Sequence, residues 1–463
     1  MKKIIVLVAA LAILSVCSVA VIAKEVNKNN DTLTYEENVI YGDSSAALGL
    51  SVKSLSHLEN HLIWDSVYDI GGETETEFDF HYHKYYSRGS FNSASIVVSS
   101  GLHMGFDTDK PVSEQVGIAK AYKELYDSLK QGERGSKVIR LADYYDYYPL
   151  DLNVNLPGIH LHEHSFYTPD SPYYTSADEE KYKQYKAFLD YFKIPMLDSE
   201  YIEISVSKDY NGFGFGSGAN NLDKSADTYS VSSRSTKTDK ACYFVLNNKT
   251  EQNKTMDFSL ISGGYGVYSF PYSSTKIKTV ELATVYPLDE STDVTFISVN
   301  SKQDKLLLTV VENDITYLEV IDIATMTQIQ KIKILEGKHT VVYPYESFTV
   351  YTFENHVAVI EEKDGEFRLC FITELYPYEE KPFYFNRNSG ASMAFDGERL
   401  AVCDNSWFNQ SSYDMCGFYV AVYTAEGLQY YGTYKTSLDV TNNADISYNL
   451  RCHPLKTPEI EWK

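Results

Sequence analysis

Basic residues are scarce in this chain. Its 463 residues include 41 Lys and Arg against 64 Asp and Glu, a formal charge of −23. A surface this acidic repels phosphate backbones and anionic lipid, which argues against nucleic acid as a partner. It suits cationic ligands, divalent ions or simple solubility. Catalytic signatures are also missing. No CxxC pair supports a thiol-zinc site, and no HExxH or Gly-x-Ser-x-Gly elbow occurs. Ser273-Ser274-Thr275-Lys276 is a bare Ser-x-x-Lys with no Lys-Thr-Gly to follow it. Paired carboxylates such as Glu179-Glu180 and Glu379-Glu380 read as solvated faces. After residue 24 no apolar run reaches the ~20 residues a membrane helix needs.

The one long apolar run is at the start. Lys2 and Lys3 precede Ile4 to Ala23, and Lys24 and Glu25 end it. A short basic start before an apolar stretch is an export signal. Ser18-Val19-Ala20 and Val21-Ile22-Ala23 both offer small-residue cleavage patterns. The run is equally long enough to stay as a membrane anchor. A lipid on Cys17 is a third option, though Val16 is larger than a lipobox prefers. In each case the charge bias puts the rest of the chain outside the cytoplasm. Membrane contact is then expected only through this segment.

Six cysteines are present, and five follow the export segment. An odd number leaves at least one free thiol in a monomer. Cys403 and Cys416 flank the polar loop "DNSWFNQSSYDM", so a disulfide between them would close it.

Tyrosine is abundant, 40 of 463, and crowds the same segments as β-branched residues. Both fit a pleated, half-buried surface. "KLLLTVVEN" (305–313) reads as a buried strand. "ITYLEVIDIATMTQIQKIKIL" (315–335) reads as two strands about "ATMTQ". Asp364-Gly365, Asp396-Gly397 and Glu426-Gly427 sit between apolar runs, where tight turns demand positive φ. Inner strands begin near Lys305, His356 and Arg399, 51 and 43 residues apart, close to the ~40–50-residue period of propeller blades.

Two helices interrupt the strands. The first is expected over Ser113 to Gln131, with Ile118, Tyr122, Leu125, Tyr126 and Leu129 in one stripe. The second is expected over Ala177 to Lys193, opened by a Ser176/Glu179 capping box and stopped at Ile194-Pro195. Both stripes read as ordinary core faces. Residues 208–240, rich in Gly, Ser, Asn and Asp, make the best boundary or long loop. The division is then 1–23 for export or anchoring, 24–207 as a β-rich region with the two helices, 208–240 as the boundary, and 241–463 as repeated β hairpins.

"YLEVIDIATMTQIQKIKI" and "VAVYTAEGLQYYGTY" resemble the third-to-fourth strand hairpins of bacterial β-propellers, over about residues 280 to 435. The layout of export signal plus repeated hairpins is similar to exported propeller-like proteins of Gram-positive bacteria. No Gly-His…Trp-Asp pair is present, so a strict WD40 repeat is not implied. The resemblance implies a mostly β fold of propeller-like antiparallel sheets with two inserted helices, and an extracytoplasmic compartment. It implies no reaction.

Two residue sets are candidates for function. His81 and His83 form one histidine pair, and His160, His162 and His164 form a second cluster. Residues two apart on a strand share a face, so each cluster would present its rings together. Imidazole-rich sites suit Zn, Cu or Ni, and the reading they support is a metal-binding protein or metal-dependent hydrolase. Against it stands the plainer reading of exposed strand histidines beside tyrosine, without the carboxylate partner that open-site catalysis needs. The second set is the Tyr- and Pro-rich loops "YYDYYPLDL" (144–152), "YTPDSPYY" (167–174) and "YPYEEKPFYF" (376–385). Tyr144, Tyr145, Tyr147, Tyr148, Tyr173 and Tyr174 would bind a glycan or protein ligand if exposed, or cap sheet ends if buried. "GFGFGSG" (212–218) lacks the helix a phosphate cradle requires and reads as a hairpin. The preferred function is non-enzymatic binding or scaffolding at the cell envelope.

Overall fold

The computed structural model describes residues 2–27, 35–58, 62–72, 74–80, 95–102, 105–156, 158–165, 167–169, 171–209, 212–218, 227–228, 231–250, 252–273, 276–278, 281–375, 391–405, 417–436, 452–454 and 457–463. The chain is mostly β, as its composition indicates. Seven small sheets are described, antiparallel apart from one two-residue parallel pair between Asp227–Thr228 and Glu200–Asp209. Three α-helices accompany them: α1 (Lys2–Asn27), α2 (Ala119–Ser128) and α3 (Ser176–Tyr191). The chain divides into two compact units, residues 1–91 with 339–463, and residues 92–338. The segment 208–240 thus lies inside the second unit, where it contributes the strands Gly212–Gly218 and Ser233–Lys237.

Each unit contains a four-stranded up-and-down meander of the propeller-blade kind. In the second unit it is Asp293–Val299, Lys305–Glu312, Ile315–Asp322 and Thr327–Glu336, paired in chain order. In the first it is Val341–Pro344, Phe348–Thr352, His356–Lys363 and Glu366–Glu374. The hairpin tips fall where the turn residues place them. Asp364 and Gly365 have φ of 54° and 83°, and Gly397 and Gly427 have φ of 103° and 111°. The inner strands are apolar on both faces because both are covered: Leu306, Leu308, Val310, Val357, Val359 and Ile360 are all but fully buried.

The first unit is closed by both ends of its chain. The strand Tyr35–Gly42 pairs antiparallel with Gly427–Thr436 and becomes the edge of the sheet that ends with Ser392–Phe395. The strand Glu459–Trp462 pairs with Leu50–Leu58 near the other end of the sequence. A core of Leu50, Val52, Ala401, Cys403, Phe418, Val420, Tyr430 and Tyr434 fills the space between these two sheets. Tyr35 packs its ring on Phe418 at 5.1 Å and Tyr68 at 5.2 Å, and its hydroxyl hydrogen-bonds Ser54 and Ser66.

In the second unit, α3 buries Phe188 and Phe192 against Phe244, Tyr268 and Phe270, with ring centroids 4.9–6.0 Å apart. The helix matches its expected span, but its capping box is one residue earlier, on Thr175 and Asp178. Helix α2 is shorter than its apolar stripe. Gly117 adopts φ of 56° just before it, which separates it from the short 3-10 turn Val112–Glu114. Its stripe covers Ile139, Ile204 and Val206 on one face of the sheet formed by Arg134–Arg140, Glu200–Asp209 and Gly212–Gly218.

Candidate binding surface

The histidine cluster does not share one strand face. The strand that carries it is only Ile159–Leu161, and the chain turns at once into the 3-10 helix Glu163–Ser165. The turn is held by Ser165, whose hydroxyl donates to the His162 carbonyl at 2.7 Å and accepts from its N–H at 3.1 Å. His160 is exposed on the strand and His162 is half-buried in the bend after it. Alternation therefore stops before it can align 160, 162 and 164. His81 and His83 lie outside the described residues. Among the described residues no group of three or more His, Cys, Asp or Glu is placed to hold a metal ion.

The tyrosines divide between core and surface. Tyr148 is 3 % exposed, and its hydroxyl donates to Oε1 of the buried Glu200 at 2.8 Å. Tyr145 is half-buried and its phenol oxygen accepts the Ile118 N–H at 3.2 Å, ahead of α2. Burial raises its phenol above the ordinary range. Tyr144 packs against the α2 core, and Tyr174 is half-buried. Tyr147 is 41 % exposed and forms an isolated bridge with Pro195, with Lys193 Nζ 6.0 Å from its ring. Tyr173 is the most exposed, at 69 %, and its ring lies 5.5 Å from that of Tyr167, itself 52 % exposed.

The two loops do not converge. Tyr173 stands two residues before the α3 cap, whereas Tyr147 is bridged to Pro195 beyond the last turn of α3. The 16 residues of α3, at ~1.5 Å of rise each, put about 24 Å between those ends. The exposed aromatic surface is therefore the Tyr167–Tyr173 pair, fixed by a cap. Asp178 accepts the N–H of Tyr167 at 3.1 Å and of Thr175 at 2.9 Å, and Lys181 Nζ donates to the Ser165 carbonyl at 3.0 Å. The third loop, 376–385, lies outside the described residues.

Cys403, expected to pair with Cys416, is fully buried. Its side chain lies in the apolar core of the first unit. Cys416 lies outside the described residues.

A second surface lies beside a segment that the sequence marked only as a hairpin. "GFGFGSG" does form a hairpin arm, paired with Glu200–Asp209. Alternation sends Phe215 towards α2, where it meets Tyr122 edge-on at 6.1 Å. The glycines line the opposite face. There the register sets Arg134, Ser207 and Gly214 in one row across three strands, and Ser136, Ser205 and Gly216 in the next. These small side chains leave a shallow depression of about 480 Å³. The sequence signal for it is the pairing of glycines two apart with serines two apart, Ser205 and Ser207.

No protein-family model matches the chain, and no curated protein matches it. Solved structures show a weak likeness. TolB from Acinetobacter baumannii is 9 % identical, with 90 % of this chain and 84 % of that one covered at a TM-score of 0.24. The β-propeller domain of Myceliophteria thermophila Cps50 (Swd1) is 12 % identical over 49 % of this chain and 81 % of that one, at 0.24. A chain of a mitotic checkpoint complex is 11 % identical at 0.25, and this chain spans about half its length, 47 %. Likeness at this level assigns no activity.

Proposed function

We propose that the protein is an exported, non-enzymatic binding or scaffolding protein of the cell envelope, which presents Tyr167 and Tyr173 to a glycan or protein ligand. The observation that carries the reading is that aromatic pair: two large rings in mutual contact, more than half exposed, on a loop pinned by the α3 cap. Rigid aromatics of this kind supply contact area at little entropic cost. The export part rests on the sequence of residues 2–25. In its support, the described Ile, Leu and Val side chains of α1 from Ile4 to Val21 are 55–70 % exposed, unlike those of a helix face packed on a core. Among the described residues no helix is long and apolar enough to cross a membrane, and the side chains of α1 are described only in part.

The test is binding of the full chain to isolated cell-wall glycan and to intact cells, beside Tyr167→Ala/Tyr173→Ala. Loss of binding in the folded double variant supports the reading. Undiminished binding, or none by the native chain, overturns it. Fractionation with N-terminal mass analysis checks export separately: a chain found entirely in the cytoplasm ends that part.

A further inference from the structure

From the depression on the Gly/Ser face we infer a second binding site, for a carboxylate-bearing sugar. Its walls and floor come from Arg134, Gly135, Ser136, Ser205, Val206, Ser207, Gly214 and Phe215. The strand register shows how each contributes. Gly135 faces α2, since a Cβ there would meet Leu125 and Leu129. Val206 and Phe215 also turn their side chains to that side. All three therefore give only main chain to the depression. Arg134, Ser136, Ser205 and Ser207 project into it, and Gly214 leaves the floor open. A Cβ on Gly214 would stand 2.9 Å from Ser207 Oγ, and one on Gly216 would stand 3.2 Å from Ser205 Oγ.

The polar groups differ in what they have left to offer. Ser207 Oγ accepts the Gly214 N–H at 3.2 Å and donates to Asp209 Oδ2 at 3.1 Å. Ser205 Oγ lies 3.4 Å from the Gly216 carbonyl. Arg134 is different. Several other arginines of this acidic chain hold carboxylates: Arg140 with Asp143 and Asp198, Arg368 with Glu361, Arg399 with Asp396. Arg134 has no ion pair among the described residues, and it stands one strand position pair from the Ser136 hydroxyl on the same face.

A guanidinium fork beside a hydroxyl selects a planar carboxylate. A carboxylate alone would leave the rest of the depression unused, and Asp209 at its edge repels a second negative charge. Asp209 and the serine oxygens instead accept from neutral hydroxyls. The flat main-chain floor admits a ring lying on it, and the volume falls in the ~300–1,000 Å³ range of small-ligand sites. One negative charge, several hydroxyls and a flat ring together describe a uronic acid. The site sits on the sheet of Arg134–Arg140, Glu200–Asp209 and Gly212–Gly218, whereas Tyr167 and Tyr173 lie on the loop before α3, and it does not depend on their role.

The test is calorimetric titration of the full chain in detergent with glucuronate, with glucose and acetate as partial ligands, against Arg134→Gln and Gly214→Val. The expectation is saturable glucuronate binding, at least tenfold weaker binding of glucose and of acetate, and at least tenfold loss in Arg134→Gln. Gly214→Val should block the floor with Arg134 intact. Circular dichroism melts establish that both variants are folded. Tyr167→Ala/Tyr173→Ala should bind glucuronate as the native chain does. No saturable binding by the native chain, or native affinity in folded Arg134→Gln, overturns the inference. Equal affinity for acetate and glucuronate overturns the sugar and leaves only an anion site.

Discussion

Glu37 stands directly opposite Tyr434 in the antiparallel pairing of Tyr35–Gly42 with Gly427–Thr436. Its Oε1 accepts from Tyr434 at 3.3 Å and from Tyr430 at 2.5 Å, and the two phenols lie 2.6 Å apart. Apart from Tyr35, the side chains of this first strand are exposed. Its hold on the sheet comes from backbone pairing, the Tyr35 ring and this carboxylate.

Glu37→Ala should therefore loosen the strand locally. Hydrogen bonds to a charged group contribute ~1.5–3 kcal/mol, so amide exchange across 35–42 should quicken by about tenfold or more, with the meander at 341–374 unchanged. Tyr430→Phe should have a smaller effect, since Tyr434 still donates. Exchange rates equal to those of the native chain would refute the latch.

Lys331 lies 2.9 Å from Oε1 of Glu319, a carboxylate 4 % exposed, and 2.7 Å from Glu312. Its ammonium also stands over the Tyr317 ring at 4.9 Å. Lys331→Ala leaves Glu319 buried without its cation. Because Lys331 is itself 30 % exposed, the cost should fall at the low end for broken buried pairs, about 2–3 kcal/mol. Urea unfolding measures it. Replacing Glu319 and Lys331 together by leucine should recover much of the loss.

Alkaline pH should unfold the protein before its buried tyrosines ionise. Burial raises Tyr345 from 10.0 to about 12 and Cys242 from 9.0 to about 12, and lifts Tyr265, Tyr268, Tyr419, Tyr430 and Tyr434 in the same direction. In each case the neutral form is held in the folded state and the unfolded chain ionises first. Stability from these groups is complete below about pH 9 and falls as pH rises past the unfolded values of 9.0 and 10.0; the part from Tyr345 and Cys242 is gone by about 12, and the other five go on losing theirs above it. The part of the tyrosinate absorbance that comes from these buried phenols should rise together with loss of circular dichroism, in one step. Full ionisation of all the tyrosines with the fold intact would contradict this burial.

Cys403 and Cys242 should resist alkylation in the native protein and react on unfolding. Both are fully buried, and desolvation raises both thiols. A reductant should leave the melting temperature unchanged. Labelling of Cys403 under native conditions would contradict its burial, and a lower melting temperature in reductant would favour the Cys403–Cys416 disulfide.

The strands and turns of residues 305–336 and 356–374 were legible in the sequence because each rests on local chemistry. Apolar runs made the strands, and Asp364-Gly365 supplied the positive φ of the tip. The apolar faces of α2 and α3 were legible for the same reason, as periodicity is local. Their ends were less so, because the Gly117 break and the Thr175 cap depend on how the backbone enters each helix. The role of individual side chains was not local. Tyr147 and Tyr148 are adjacent and similar, yet one is exposed and the other closes on Glu200. His160, His162 and His164 suggest alternation only while the strand lasts, and Ser165 ends it. What the sequence by itself determined is the element content, the acidic composition and the apolar N-terminal run, all set by composition and short-range pattern. The tertiary structure alone decided which tyrosines face solvent, that Cys403 faces the core, and that Arg134 meets Ser136, Ser205 and Ser207 on one face. Each of those depends on register and packing between segments far apart in the chain, which no local pattern encodes.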